Sequence, residues 1–433
     1  MRLLALTNLY PPHQAGTQDL RCQALVDNLR LRGHEVRVLT STCGIRSPQC
    51  DAEVERKLKL NGAFDHPRLT RYSELHPLEV WNSQGLRESL ANFKPDLVHV
   101  FSLCGLSKSL LFTLRQERVP TVFDVADAWL SEEVKADPWL KWWNHPGFDP
   151  ARALKELAGG RHRVDAQAPT LMMKGYDRVP ELYGRNPTPP EPNSIAAFRF
   201  ERLYFCSQAL KTATEQAGFV VSHGEVIHPG VATQAFVGEV RPAALPTRKL
   251  LIVARLNRAS GVLTAVKALQ LARAAQAEVQ LTICGKGDSE YIAAVRSLVA
   301  SEHLPVAFLS VSNQRRELQA LYRQHEVLLY PGEEPEPFSL TPLEAMTSGL
   351  AVVGTPLGGV GELLRPGENA LVFEPGSAEQ LAGCIQELTA QPGLREKLAE
   401  AAQAEVLSQH NETVVTDRVE NYLETSLQTW QAQ

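Results

Sequence analysis

The chain has 433 residues, 44% apolar and 21% charged, with 44 basic against 49 acidic side chains and a net charge of −5. At roughly 150 residues per domain this allows two or three soluble globular domains, with chain enough to bury two separate cores. The balance excludes a general nucleic-acid binder, seven cysteines without a C-x-x-C pair exclude a disulfide framework, and no apolar run is long enough to span a membrane. The thiols read as reduced, which fits a cytosolic compartment.

Short β-rich runs alternate with helical patterns along most of the chain, the arrangement expected of parallel α/β units. The opening residues are soon interrupted by Tyr10-Pro11-Pro12, so Leu3–Thr7 reads as a first strand rather than a signal peptide. A helix is expected over Gly16–Arg32, where Cys22, Leu25, Val26 and Leu29 share one face, and Gly33 stops it. Further strands are expected at Glu35–Thr40, Asp96–Phe101, Pro120–Asp124, Leu203–Cys206 and Glu225–His228. Residues 130–195 break this rhythm as a Pro- and Trp-rich insert with only short helical segments.

Pro242 to Pro246 reads as a linker, and a second alternating series follows it. Its strands are expected at Lys249–Ala254, Glu278–Cys284, Val306–Leu309, Val327–Tyr330, Leu350–Gly354 and Ala370–Phe373. Core faces are expected at Val262, Ala265, Val266 and Leu269, and at Leu381, Cys384, Ile385 and Leu388. Cys22 and Cys384 then read as inert core thiols. A last helix begins near Asn411. The expected organisation is two doubly wound, Rossmann-like α/β domains facing across a cleft. Residues 1–242 form the first, 243–410 the second, and 411–433 a closing helix with a return to the first domain as one option.

Such sheets bind ligands beyond the carboxyl ends of their strands, and four loops there carry unusual residues. Gly16 opens a helix, where a phosphate could meet bare N–H groups, or it is a plain turn glycine. Arg255 and Arg258 precede Ser260-Gly261 and suit an anion, although surface arginines are common in loops. Cys284-Gly285-Lys286-Gly287-Asp288 is a weak glycine fingerprint, because Glu290 takes the third glycine position. The fourth loop places Glu336 and Glu344 eight positions apart, across a loop and the first turn of a helix. Thr341-Pro342-Leu343-Glu344 also reads as a capping box, with Glu344 satisfying backbone donors. That account leaves Glu336 unexplained. Carboxylates accept from sugar hydroxyls and a helix N-terminus favours phosphate, so this segment suits a nucleotide sugar.

The segment resembles the E-x7-E signature of retaining glycosyltransferases with the GT-B fold, glycosyltransferase family 4 (glycosyl transferases group 1). Other landmarks follow in the family's order: Pro12 to Gly16, Arg32-Gly-His-Glu-Val36, Ser207 to Gly218, Ile227-His-Pro-Gly-Val231, Arg255-Leu256, Gly285-Lys-Gly287 and Gly358-Gly359-Val-Gly-Glu362. The resemblance implies a metal-independent, retaining transferase (hexosyltransferase class) that uses a nucleoside-diphosphate sugar as co-substrate, with no cofactor.

The implied roles follow residue by residue. Glu336 binds donor-sugar hydroxyls with the backbone of Phe338 and Ser339, and Arg255 neutralises the diphosphate, which makes Glu336 and Arg255 the catalytic pair. Leu340 and Thr341 offer N–H groups to the diphosphate, Glu344 holds the ribose, and Gly16 approaches from the opposite domain. Gly285, Arg258 and Ser260 complete the donor set. The acceptor side is assigned to His13, Asp127, Trp142 and Trp143. Three positions depart from the family pattern: Ser260 stands for a lysine, Ala15 for a glycine and Ala126 for a histidine. Arg258 or Lys286 could compensate for the first.

No D-x-D pair, H-x-x-x-H or G-x-S-x-G occurs, so metal and serine-hydrolase chemistry lack sequence support. His34 and His228 read as structural. Trp129, Trp139, Trp142 and Trp143 form a satellite core, stack on acceptor sugars, or sit at a membrane interface; peripheral membrane association at the cytoplasmic face stays open. Two other functions stay open as well: a GT-B epimerase or phosphorylase, and a degenerate sugar-nucleotide binding protein without efficient turnover.

Overall fold

The computed structural model describes residues 1–13, 16–43, 53–133, 137–138, 200–310 and 315–432. They fall into two compact units, Met1–Ile227 with Thr416–Gln433, and His228–Val415. No described helix is long and apolar enough to cross a membrane.

The first unit is built on strands β1 (Arg2–Thr7), β2 (Glu35–Ser41), β3 (Val54–Leu58), β4 (Leu97–Ser102), β5 (Thr121–Val125), β6 (Leu203–Phe205) and β7 (Glu225–Val226). All pair in parallel, in the order β3-β2-β1-β4-β5-β6-β7. β1 and β4 are buried almost throughout, which is why they read as unbroken apolar runs. Helix α1 (Thr17–Leu31) buries Cys22, Leu25, Val26 and Leu29 as its spacing predicts. Sequence reading missed β3 and the helix α2 (Tyr72–Phe93). β3 is the sheet edge, where Val-Glu-Arg-Lys-Leu carries the charges that keep edges soluble and so hides its strand character. α2 contains Pro77, a residue that ordinarily argues against a helix interior.

Charge is buried inside this unit. Arg21, 12% exposed, donates to Asp124 Oδ2 at 2.5 Å, and the Asp124 side chain is fully buried. Tyr204 OH donates to the same oxygen at 2.8 Å and meets His99 Nε2 at 3.0 Å. Burial pushes the His99 pKa down to about 3, so the ring is neutral and carries its hydrogen on Nε2, toward the tyrosine. The closing helix (Glu412–Gln431) is tied to the same unit through Arg32 on Asp417 and Glu420, His34 on Glu420, and Tyr422 OH on the Leu203 carbonyl.

The second unit carries β8 (Lys249–Val253), β9 (Gln280–Cys284), β10 (Val306–Leu309), β11 (Val327–Tyr330), β12 (Ala351–Gly354) and β13 (Ala370–Val372). They are parallel in the order β10-β9-β8-β11-β12-β13. Leu250 pairs with both Leu281 and Val327. The helix Val262–Ala274 buries Val262, Ala265, Val266 and Leu269 against the sheet. On the helix Ala378–Ala390, Leu381, Ile385 and Leu388 are buried, but Cys384 is only half-buried, which corrects its reading as a core thiol. Burial still raises its pKa to about 11, so the thiol stays protonated.

Division of the chain falls at Ile227–His228, upstream of the proline-rich linker. The intervening segment packs into the second unit: Gly238 N donates to Thr347 O, and Ser348 Oγ to Phe236 O. Arg395, 1% exposed, donates to the carbonyls of Arg241, Pro242 and Leu245 and to Thr247 Oγ1.

Replacing Asp124 with Ala strands Arg21 without its buried partner, and breaking such a pair costs about 3–5 kcal/mol. Urea unfolding of the full chain measures this. A loss below about 1 kcal/mol would show the pair to be dispensable.

Candidate functional site

In the second sheet the chain leaves β8 in one direction and enters β11 from the other, so their adjacent carboxyl ends form a switch point. The loops gathered there are bonded to one another through their main chains. Leu256 N donates to Lys286 O, and Asp288 N to Leu256 O. Glu333 N donates to Ala259 O, and Gly359 N to Glu336 O. Thr264 Oγ1 donates to Glu333 Oε1 at 2.6 Å and fixes the third of these loops to a helix behind.

Glycines make the approach, at Gly261, Gly285, Gly287 and Gly358. A Cβ on Gly285 would lie 1.9 Å from Ala254 O, and one on Gly358, at φ +56°, would lie 2.2 Å from Glu336 O. The opposing atoms are backbone, so a side chain at Gly285 or Gly358 forces the loops apart.

Arg255, Arg258 and Lys286 stand on two of these joined loops, all three exposed and without an ion pair among the described residues. Ser260 turns inward: its hydroxyl donates to Asn257 O at 2.6 Å, and its N–H to Asn257 Oδ1. Gly261 caps the following helix in the left-handed conformation, at φ +64°.

Glu336 is exposed, and its carboxylate accepts from Tyr330 OH at 2.9 Å. Burial first, and the Glu336 charge next, raise the Tyr330 pKa far above the usual phenol, so the tyrosine remains a donor. Phe338 packs its ring 5.8 Å from that of His228, whose Nε2 bonds Glu362 at 2.8 Å. The helix Leu340–Thr347 is capped by Ser339, whose hydroxyl accepts from Thr341 N. The capping box expected from Thr341 therefore does not form. Thr341 lies inside the helix, and Glu344, one turn further on, accepts from the buried Tyr322 OH at 3.0 Å.

In the first unit Gly16 is the N-cap of α1, with its N–H on Asp19. His13 is half-buried, in the loop after β1. The Ala126 carbonyl takes the Gln18 amide. Asp127 accepts from Ser102 Oγ at 2.9 Å and Trp129 N at 2.8 Å, and burial pushes its carboxyl up to about 6. Trp129 is buried beside Phe123 and Phe200, so this tryptophan belongs to a core and not to an acceptor surface. Trp139, Trp142 and Trp143 lie outside the described residues.

Among the described residues one cluster, His34, Glu420 and Glu424, brings three potential metal-ligand atoms within 4.8 Å of each other, in the first unit. Sequence reading missed the two tyrosines, Glu333, and the pairing of His228 with Glu362. Tyr330 carried a signal, as a polar-tipped residue ending an apolar strand six positions before Glu336.

Residues 239–405 match the family model described as glycosyl transferases group 1, and residues 16–154 match a glycosyl transferase 4-like domain. Glycogen synthase of Mycobacterium tuberculosis is 26% identical over 225 residues, covering 52% of this chain and 54% of that protein. D-inositol 3-phosphate glycosyltransferase of Arthrobacter is 28% identical over 197 residues, covering 42% and 45%. The chain thus spans about half the length of the curated relatives it matches. Among solved structures, Anabaena Alr3699/HepE in complex with UDP aligns over 98% of this chain and 100% of its own, with TM-score 0.67 and 17% identity. Sucrose-phosphate synthase of Thermosynechococcus elongatus covers 100% of both, with TM-score 0.65 and 18% identity. These likenesses make the fold GT-B.

Two outcomes are expected of this site. Glu336→Gln should lower turnover by at least about ten-fold with little change in melting temperature, since its one side-chain partner is the Tyr330 hydroxyl, which Gln still accepts from. Full turnover in that variant removes Glu336 from the chemistry. Arg258→Ala should weaken nucleoside-diphosphate binding by roughly ten-fold or more, the size of one charged contact, and Ser260→Lys should restore it. Calorimetric titration decides this, and equal affinities leave Arg258 an ordinary surface residue.

Proposed function

The chain belongs to the glycosyl transferases group 1 family, and from that premise we propose that it moves a sugar from a nucleoside-diphosphate sugar to an acceptor. The transfer retains the anomeric configuration and needs no metal. The observation that carries this reading is the group of three exposed cations, Arg255, Arg258 and Lys286, on two loops bonded together within the unit that also holds Glu336. A diphosphate needs such charge, and held cations stabilise it most as it leaves and its negative charge grows. The solved HepE complexes with UDP and with UDP-glucose support a nucleotide-sugar donor.

In this reading Arg255 neutralises the diphosphate, with Arg258 and Lys286 beside it. The backbone N–H groups of Leu340 and Thr341, at the first turn of their helix, receive its oxygens. Glu336 holds hydroxyls of the donor sugar, oriented by Tyr330, and Glu344 takes the ribose while Tyr322 holds its position. In this reading the departing phosphate and the incoming hydroxyl share one face of the sugar, which keeps the configuration without a covalent intermediate on the protein.

A second reading, a binding protein with poor turnover, draws on Ser260. Its hydroxyl is committed to Asn257, so the position adds no cation. Donor binding without measurable donor hydrolysis would favour it.

Incubation with a panel of nucleotide sugars, followed by NMR of the released or transferred sugar, tests the proposal. The product should keep the donor's anomeric configuration and form equally well in excess EDTA. An inverted product, or activity lost to chelation and restored by a divalent cation, overturns it.

A further inference from the structure

Resting on that reading, we propose that the acceptor is an uncharged polyhydroxylated ring, a sugar or cyclitol without phosphate, bound in a pocket at the carboxyl ends of β3 and β4 in the first unit. The cavity there measures about 80 Å³, room for several water-sized polar groups, and its walls include Asn61, Glu79, Lys108, Glu133 and Asp137. Asn61 N donates to Gly105 O at 2.8 Å and so joins the loop after β3 to the loop after β4. Carboxyl ends of parallel strands are where such sheets take ligands.

The chemistry of the walls selects against anions. Lys108 is 2% exposed, and its three ammonium protons are already spent on Leu103 O, Leu106 O and Glu133 Oε2, each at 2.8 Å. Glu133 also takes Gly105 N at 2.9 Å and the Cys104 thiol at 3.0 Å. Asp137, 5% exposed, accepts from Lys108 N at 2.9 Å. Arg68, at the exposed rim, has an interaction of its own. Glu79 is 1% exposed and accepts from Ser109 Oγ.

Burial, and then the Asp137 charge, push the Glu79 carboxyl up to about 8, so this pocket already fails to hold a third negative charge at neutral pH. A phosphate would bring two more, against a lysine with no proton to give. A hydroxyl suits the same wall, since a protonated Glu79 both donates and accepts, and Asp137 accepts.

Saturation-transfer NMR on the full chain, with glucose, myo-inositol and their phosphate monoesters as probes, reads this directly. At least one uncharged ring should bind, and its phosphate ester should bind at least about ten-fold more weakly, which corresponds to about 1.4 kcal/mol. Asp137→Asn keeps the acceptor for Lys108 N but removes a charge, so it should narrow that discrimination by about three-fold or more, read as the ratio of the two affinities. If Asp137→Asn does not fold, Glu79→Gln serves instead: it leaves the two remaining carboxylates in place, so the ester should still bind at least about ten-fold more weakly than the uncharged ring. Tighter or equal binding of the ester, no binding of either uncharged ring, or discrimination unchanged in Asp137→Asn overturns the proposal. UDP titration and donor hydrolysis on the same sample separate the two failures. A chain that does neither fails the glycosyl-transfer reading, whereas one that does both yet prefers the ester fails only this one.

Discussion

Main chain packed directly on main chain is the constraint on which the second unit's site depends. At Gly285 and Gly358 the opposing carbonyls stand where a side chain would begin, so the loops after β8 and β9, and those after β11 and β12, lie in contact. Their N–H and C=O groups then satisfy one another: Leu256 with Lys286 and Asp288, Glu333 with Ala259, Gly359 with Glu336. The cations and the carboxylate sit on a frame whose hydrogen bonds are made before any ligand arrives. Little reorganisation then opposes binding, and charge placed in advance is the kind that lowers a barrier.

The two units use charge in opposite ways. In the first, Arg21, Asp124, Tyr204 and His99 form a buried chain in which each polar atom is held by the next, apart from Asp124 Oδ1, which has no hydrogen-bond partner in the structure. That network fixes the packing of α1 on β5 and offers nothing to solvent. In the second unit Arg255, Arg258 and Lys286 are exposed, and no carboxylate among the described residues pairs with them. Charge that is paired and buried specifies a structure, while charge left unpaired at a switch point remains available to a ligand.

Legibility in the sequence followed the strength of the physical signal. Buried parallel strands announce themselves as apolar runs, so β1, β4, β8 and β11 were readable to within a residue or two, and helix faces such as Val262, Ala265, Val266 and Leu269 were explicit. β3 was invisible because an edge strand carries Glu55, Arg56 and Lys57 where a central strand carries valines. The E-x7-E pair stood out by its spacing, but the capping-box alternative for Glu344 does not hold. Local sequence favoured a cap at Thr341, whereas Ser339 takes that place and a tyrosine from another helix, Tyr322, claims the carboxylate. Contacts of this kind join residues distant in sequence, so no local pattern encodes them. The hydroxyl of Tyr330, six positions before Glu336, lay within local reach and was overlooked because it ends an apolar strand.

Arg395 gives the proline-rich stretch after Arg241 a meaning its composition conceals. A guanidinium with three carbonyls and a hydroxyl around it makes that stretch a structural strap of the second unit, not a tether. Burial lowers the pKa of Arg395, and no carboxylate pairs with it among the described residues, so the strap's carbonyls are its counter-charge. Anyone assembling chimeras from this chain should therefore cut before His228 and not at Pro242. A graft that begins at Pro242 would carry Arg395 into its new host without the Arg241 carbonyl, and without the backbone at Phe236 and Gly238 that secures the helix Leu340–Thr347 from behind.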